Sequence, residues 1–170
     1  PVIASHSGIA GVSVHPRNLD DETLRALKAD GGVVQVVAYD AYLRHPSDEE
    51  LAALRALRER VGLTAGGPGS LSPERRADYD QGMREIQSRW PPATVKDLVN
   101  HIDYAVKLIG VDHVGISSDF GGGGGVTGWS DAAETGNVTA ELRSRGYGDD
   151  DIAKIWSGNL LRVWRSVEAK

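Results

Sequence analysis

Five side chains that can ligate, bind or transfer protons follow the apolar runs of this sequence. They are an imidazole, a guanidinium, two phenols and a carboxylate: His6, Arg17, Tyr39, Tyr42 and Asp119. His6 directly follows "VIAS", the tyrosines follow "VVQVV", and Asp119 follows "VGISS", while Arg17 stands in the loop after the first run. If the runs are parallel strands, these groups meet at the carboxyl edge of one sheet, where α/β proteins place their sites. The spacing therefore predicts a binding or catalytic site at that edge.

Several of these residues also have a structural interpretation that the sequence leaves open. A histidine at a strand end can serve only to satisfy hydrogen bonds around it, and Arg17 can be a surface charge beside a helix. The "HID" at 101–103 has the letters of a metal-binding pair, but residues i and i+2 of a helix point apart, so we expect no metal there. His113 precedes a strand, at the face that serves stability in α/β barrels, and is expected to be structural.

Five consecutive glycines, at 121–125, come just after Asp119. No Gly-Lys-Ser/Thr sequence follows them and no helix starts directly at their end, so they are not a phosphate-binding loop. Glycine permits backbone conformations and close approaches that other residues do not. We expect a mobile or closely approaching loop beside the site.

The elements that must position these residues alternate along the chain. Short β-type runs cover residues 2–5, 32–39 and 113–118. Helical patterns are predicted at 20–29, 47–61, 72–89, 94–109, 131–145 and 149–164, the last one broken near Gly158. Such alternation is typical of α/β folds with a parallel sheet, and the nearly continuous apolar character of the runs indicates that both faces of the sheet are covered.

The organisation of the chain is expected to be one domain with an insertion. The highly charged, loop-rich stretch at about 61–93 is predicted to be a helical and loop insertion on the outside or top of an α/β barrel. Three strands with their helices are too few to close such a barrel, so the sequence predicts a fold that further chain completes.

Composition excludes several classes of function. The chain has 170 residues, a net charge of −5 and no Lys/Arg cluster, so a general binder of nucleic acid or anionic membranes is not expected. The absence of cysteine excludes disulfides, thiolate metal sites and a cysteine nucleophile. No apolar run approaches the roughly 20 residues that cross a bilayer. We expect a soluble protein, cytoplasmic or periplasmic, and the sequence does not decide between the two.

Four motifs together resemble the C-terminal half of the membrane (renal) dipeptidases, a family of zinc peptidases with bacterial members. They are "PVIASHS", the "RN" eleven residues after its histidine, "GVDHVGISSDF" and the closing "GNLLRVW". The resemblance runs over essentially the whole chain. One departure is visible, because the family usually continues Asp-Phe-Asp-Gly where this chain has Asp119-Phe120-Gly121-Gly122. The loss of the second acid affects the shape of the loop more than the chemistry.

The resemblance implies a fold, a reaction and a role for four residues. The fold is a (β/α)₈ TIM barrel of the metal-dependent hydrolase type, and the reaction is hydrolysis of dipeptides at two zinc ions bridged by a glutamate and a water. In the family pattern His6 matches a zinc ligand, and Arg17 matches the residue that holds the C-terminal carboxylate of the substrate. Tyr42 matches a pocket-lining tyrosine, and Asp119 matches the acid/base group near the bridging water. Imidazole, guanidinium and carboxylate suit these roles chemically.

The other metal ligands of the family, and the histidine expected to polarise the scissile carbonyl, would all lie before residue 1. We therefore expect the C-terminal part of a dipeptidase barrel, active only with the N-terminal half, and a homodimer of the complete enzyme stays open. The alternative is a non-catalytic interaction or scaffold module that kept the fold and lost its metals. The joint presence of His6, Arg17 and Asp119 favours the enzyme, because such a module needs none of them. The sequence does not predict which dipeptides are cleaved or whether D-residues are accepted.

Overall fold

The computed structural model describes residues 1–168, and its centre is a parallel sheet. The strands are β1 (Ile3–Ser7), β2 (Val33–Val37) and β3 (Val114–Ser117), in the spatial order β1-β2-β3. Both strand pairs are parallel, so the chain must cross back along the sheet after each strand. The predicted α/β architecture is confirmed, and the strand ends differ from the prediction by one or two residues.

Eight α-helices occur in the described residues. They are α1 (Asp21–Ala29), α2 (Asp40–Leu43), α3 (Asp48–Arg60), α4 (Pro73–Arg89), α5 (Val95–Ile109), α6 (Thr135–Ser144), α7 (Asp149–Ala153) and α8 (Asn159–Glu168). Four begin behind a capping side chain, from Asp20, Ser47, Ser72 or Thr94, which accepts a hydrogen bond from the backbone N–H three residues later. Each cap satisfies a donor that the first turn leaves free, so these helices begin where the sequence predicts. Within residues 1–168, no helix has both the length and the apolar composition that a membrane-spanning segment requires.

Helix α2 is absent from the sequence prediction. The strand expected to reach residue 39 ends at Val37, and the chain turns at Tyr39, whose carbonyl accepts hydrogen bonds from the N–H groups of Tyr42 (2.9 Å) and Leu43 (3.3 Å). Leu43 is 3% exposed and packs into the main core. A four-residue helix is too short to leave a periodic pattern, and its apolar anchor extends the apolar run of β2.

The last predicted helix is divided by a π-helical segment, Lys154–Gly158, between α7 and α8. This agrees with the break expected near Gly158. Directly after it, the buried Asn159 donates from Nδ2 to the carbonyls of Val111 (2.6 Å) and Val114 (2.8 Å). The π turn thus brings a carboxamide to the amino end of β3, where it satisfies two backbone acceptors.

The main core lies between the sheet and the helices. All five residues of β2 are buried, and α5 contributes a fully buried stripe at Leu98, Ile102, Ala105 and Ile109. The spacing of that stripe is the helical one, so a single face of α5 packs inward. The sheet and this stripe form the platform that holds the carboxyl ends of the strands in place.

The described residues form an open sheet. Strand β1 pairs only with β2, and it is more exposed than β2, with Ile3 37% exposed beside Val2 at 58%. On α8, Leu161, Trp164 and Val167 are also between 43% and 55% exposed. Closure of the sheet into a (β/α)₈ barrel stays a prediction.

Residues Pro46–Pro92 form a second compact unit, while residues 1–45 and the chain from Ala93 onward form the first. The second unit has its own core, built on Leu57, Val61, Leu63 and Ile86. The unit includes α3 because the apolar face of α3 packs on α4, where Gly82 lets Leu57 approach closely. The insertion predicted at about 61–93 stays a prediction.

Candidate active site

His6 lies in a β-bulge at the carboxyl end of β1. The register pairs Ala4 with Val34 and then Ser7 with Val36, so Ser5 and His6 together oppose the single residue Gln35. A bulge turns a side chain away from the alternation of the strand, and bulges are frequent beside active sites. The bulge therefore places the imidazole of His6 at the carboxyl edge of the sheet, where a site was expected.

The hydrogen bonds of His6 define its tautomer. Nε2 lies 3.3 Å from Nη2 of Arg17, and Nδ1 lies 2.7 Å from Oγ of Ser5. A guanidinium can only donate, so Nε2 accepts, and the ring proton is on Nδ1, which donates to the serine hydroxyl. This tautomer presents its lone pair on Nε2, as a metal ligand held through Nδ1 would.

Arg17 is exposed, and its neighbour Asn18 anchors the loop that carries it. Oδ1 of Asn18 accepts from the N–H of Gly8 (3.1 Å), and Nδ2 donates to the carbonyls of Ser13 (2.7 Å) and Tyr42 (2.8 Å). A Cβ at Gly8 would collide with the carboxamide of Asn18, so a larger residue there would displace it. One carboxamide thus ties the end of β1, the loop and α2 together. Sequence reasoning used the "RN" pair but gave Asn18 no role.

Three aromatic rings line the same edge of the sheet. Tyr42 stacks on His15 with ring centroids 4.5 Å apart and on Tyr39 at 4.7 Å. Tyr39 in turn lies beside Gly123, since a Cβ built there would be 3.8 Å from its ring. The rings therefore run from the loop of Arg17 to the glycine loop. His15 was missed from the sequence, where the only signal was its place before Pro16 in a turn-like stretch.

Asp119 has a left-handed backbone, with φ +52° and ψ +32°. It is the only non-glycine residue with positive φ among residues 1–168. Its carbonyl accepts hydrogen bonds from the N–H groups of Gly122 (2.9 Å) and Gly124 (2.8 Å), and Gly125 donates to the carbonyl of Ala38. The loop therefore folds back onto the end of β2 and holds Asp119 in a conformation that costs energy, which is frequent at functional sites. The close backbone approach expected of the glycines is present.

His101 and His113 have structural roles. The fully buried His101 accepts at Nδ1 from the N–H of Ile9 (2.9 Å) and donates from Nε2 to the carbonyl of Leu43 (3.1 Å). Nδ1 of His113 lies 2.9 Å from the carbonyl of Gly32, which precedes β2. Both nitrogens of His101 are occupied by backbone groups, so it ties the chain after β1 to α2 and has no lone pair left for a metal.

The structure brings the predicted site residues to one edge but not all into contact. His6 contacts Arg17 directly, and Tyr42 reaches Arg17 only through His15 and Asn18. In the described residues no hydrogen bond or ion pair joins the carboxylate of Asp119 to the other predicted residues. A substrate would have to bridge this gap.

The described residues do not by themselves fit a pair of zinc ions. No group of three or more histidine, aspartate or glutamate side chains in residues 1–168 is placed to hold a metal ion. Nε2 of His6, the predicted ligand, could take a metal only after the Arg17 guanidinium moves off it. Among residues 1–168 His6 is the one predicted ligand, and one imidazole does not form a metal site by itself.

Comparison with known proteins gives matches along the whole chain. The sequence model of the membrane dipeptidase family (peptidase family M19) matches residues 1–170. The dipeptidase verJ of Clonostachys rogersoniana is 32% identical over 169 residues, which are 99% of this chain and 32% of that protein. The chain spans about a third of the length of the curated dipeptidases it matches.

Solved structures give similar matches. The crystal structure of the probable dipeptidase PvdM from Pseudomonas aeruginosa is 47% identical, covers 96% of this chain and 44% of that one, and superposes with a TM-score of 0.75. A metallopeptidase from Rhodobacter sphaeroides, solved with a phosphinate mimic of the dipeptide L-Ala-D-Ala, is 22% identical, covers 94% of this chain and 34% of that one, and has a TM-score of 0.64. At 22% identity the likeness shows the fold alone.

Proposed function

Because the chain belongs to the membrane dipeptidase family, peptidase family M19, we propose that it is the C-terminal part of a zinc-dependent dipeptidase whose (β/α)₈ barrel is completed by an N-terminal half. The observation that carries the proposal is the bulge at His6, which presents the Nε2 lone pair beside an arginine at the carboxyl edge of the sheet. A scaffold module has no need of an imidazole held beside a guanidinium at this edge of the sheet.

In the proposed site Arg17 binds the substrate. Its guanidinium offers paired N–H donors that match the C-terminal carboxylate of a dipeptide in a bidentate geometry. Nη2 now contacts His6, so binding of the carboxylate would replace that contact and free Nε2. Tyr42, with Tyr39, would form an apolar wall beside the bound dipeptide.

Asp119 would carry the proton. Its carboxylate accepts a proton from the attacking water, whose oxygen forms the new bond to the scissile carbonyl carbon. The same oxygen of Asp119 then returns the proton to the leaving amine as the carbon–nitrogen bond breaks, so the carboxylate ends unprotonated. His6 would supply one zinc ligand, and zinc, when bound, would activate the water and polarise the carbonyl.

Two observations support the proposed N-terminal half: the small number of metal-ligating side chains and the open sheet of the described residues. One imidazole cannot hold two zinc ions, and the apolar side chains exposed on β1 and α8 would be covered by the remaining strands of a closed barrel. The dipeptidases verJ and aclJ are about three times as long as the chain, which leaves room for those strands.

The test is Asp119→Asn in the complete protein, with Asp150→Asn, an exposed residue of α7, as the matched control. Asparagine keeps the shape of the side chain but cannot accept the proton, so kcat for a dipeptide should fall by about 10²–10⁴-fold. Zinc content, measured by mass spectrometry, should be unchanged in both variants. Activity of Asp119→Asn within a few-fold of the control would refute the role of Asp119. A complete protein that binds no zinc and cleaves no dipeptide would favour the scaffold alternative.

A further inference from the structure

We propose that His15 is a positioning residue for Arg17, through a hydrogen bond that it accepts from the Arg17 backbone. The inference rests on the proposed function, in which Arg17 holds the carboxylate of the dipeptide. The motifs that relate the chain to its family include Arg17 and Asn18 but not His15. The role of His15 therefore comes from the geometry of this loop alone.

In the turn from His15 to Asn18, two consecutive backbone N–H groups donate hydrogen bonds to His15. Nδ1 of His15 accepts from the N–H of Arg17 (3.1 Å), and the carbonyl of His15 accepts from the N–H of Asn18 (2.9 Å). Pro16, between them, has no N–H and a fixed φ. The N–H of Arg17 would otherwise have only water as a partner, because the turn gives it no backbone acceptor in the described residues.

The ring of His15 is itself held in place from outside the loop. It stacks on Tyr42 at 4.5 Å with the ring planes 35° apart, and the carbonyl of Tyr42 accepts from Nδ2 of Asn18 (2.8 Å). His15 is half-buried there, whereas Val14 beside it is 78% exposed. Nδ1 of His15, the acceptor for the N–H of Arg17, is therefore held by the packing of its ring on Tyr42 of α2.

Arg17 needs a fixed backbone because its side chain is long and exposed. A free arginine side chain loses rotamer entropy when it is ordered, and bidentate recognition also demands a defined direction of approach. Fixing the backbone at Arg17 restricts the orientations that its side chain can adopt and therefore the positions that the guanidinium can reach. His15 thus favours the carboxylate geometry without touching the substrate.

The experiment separates the two contacts of His15 with a matched pair of variants in the complete protein. His15→Asn keeps an acceptor that can reach the N–H two residues on, as in an Asx-turn, but loses the ring. His15→Phe keeps a ring on Tyr42 but loses the acceptor. The probes are a non-hydrolysable phosphinate dipeptide with a free C-terminal carboxylate and its methyl ester, with Kd measured by calorimetry. The ratio of the two Kd values reports carboxylate recognition alone.

We expect His15→Phe to lose about 5- to 10-fold of the preference for the free acid, the size of effect that one hydrogen bond supports, with ester affinity unchanged. His15→Asn should keep the preference of the unmodified protein. The proposal is overturned if His15→Phe keeps the full preference, or if His15→Asn loses as much as His15→Phe. Arg17→Ala distinguishes failure of the proposed role of Arg17 from failure of the role inferred for His15. If Arg17→Ala retains the preference for the free acid, the proposed role of Arg17 itself is wrong. If Arg17→Ala abolishes the preference and His15→Phe does not, only the role of His15 fails.

Discussion

At the scale of single residues, the site depends on polar groups that anchor the loops around it. Asn18 satisfies three backbone groups of three different segments, and His101 satisfies two. Buried donors and acceptors of this kind cost about 1–3 kcal/mol when they are left unpaired. The chemistry assigned to Arg17 therefore depends on neighbours that never meet the substrate.

His101 makes the stability of the fold sensitive to pH. Burial disfavours the imidazolium and lowers the pKa of His101 below its ordinary value, and this outweighs the opposite effects of the Leu43 carbonyl and Asp97. As the pH falls below about 6.5, the unfolded chain takes up a proton that the folded chain resists. The free energy of unfolding should therefore decrease from pH 8 to pH 5.5, and the contribution of His101 is constant above the unfolded pKa.

Urea unfolding of the complete protein at the two pH values measures this effect. His101→Gln, which can still donate and accept, should show a smaller decrease between pH 8 and pH 5.5 than the unmodified protein. His45→Gln, at an exposed position, should show the same decrease as the unmodified protein. An equal decrease in all three proteins would mean that His101 does not contribute.

At the scale of elements, the loop after β3 determines where the Asp119 carboxylate lies. The left-handed conformation of Asp119 is one that aspartate tolerates better than most side chains. The following glycines hold it there, and they are not equivalent. A Cβ at Gly124 would collide with the carbonyl oxygen of Ser118, whereas a Cβ at Gly121 would meet nothing within 4 Å.

This difference predicts opposite results for two alanine substitutions in one glycine run. Gly124→Ala must displace the backbone next to Asp119, so kcat for a dipeptide should fall by at least about 10-fold, because small misplacements of a catalytic group are costly. Gly121→Ala should stay within about 2-fold of the unmodified enzyme, since its site is open. Steady-state kinetics of the complete protein measures both. Equal effects of the two substitutions on kcat would contradict the prediction that the loop backbone at Gly124 sets the position of Asp119.

At the scale of the whole molecule, the open edges are the main consequence of the architecture. Parallel sheets are normally covered on both faces and at their edges, and an exposed strand edge with apolar neighbours promotes association. In the described residues β1 has one strand neighbour. Apolar side chains are exposed near both ends of the described chain, at Val2 and Ile3 and at Trp164 and Val167.

Residues 1–170 expressed alone should therefore self-associate, bind a hydrophobic dye and hydrolyse no dipeptide. Mixing with the proposed N-terminal half should suppress association and restore zinc binding and activity, because the new interface would cover the edges and complete the ligand set. Light scattering, dye fluorescence and a dipeptidase assay follow the three properties. A monomeric, cooperatively melting and active 170-residue chain would contradict the proposal of a divided barrel.

The sequence by itself determined the class of fold and supplied the candidate site residues. Apolar runs, helical periodicity and capping residues are local properties, so the strands and the capped helices were predicted to within a few residues. His6, Arg17, Tyr42 and Asp119 could be named because each follows a strand or stands in a family motif. The family itself, M19, was also within reach of the sequence.

Only the tertiary structure decided how those groups are held. The bulge at His6 exists because of the register between β1 and β2, and the start of the second unit at Pro46 exists because α3 packs on α4. The roles of Asn18 and His15 depend on Tyr42, which lies more than twenty residues further along the chain. A local pattern cannot report such contacts, because they form only when distant segments pack together and their polar groups must find partners within the same folded chain.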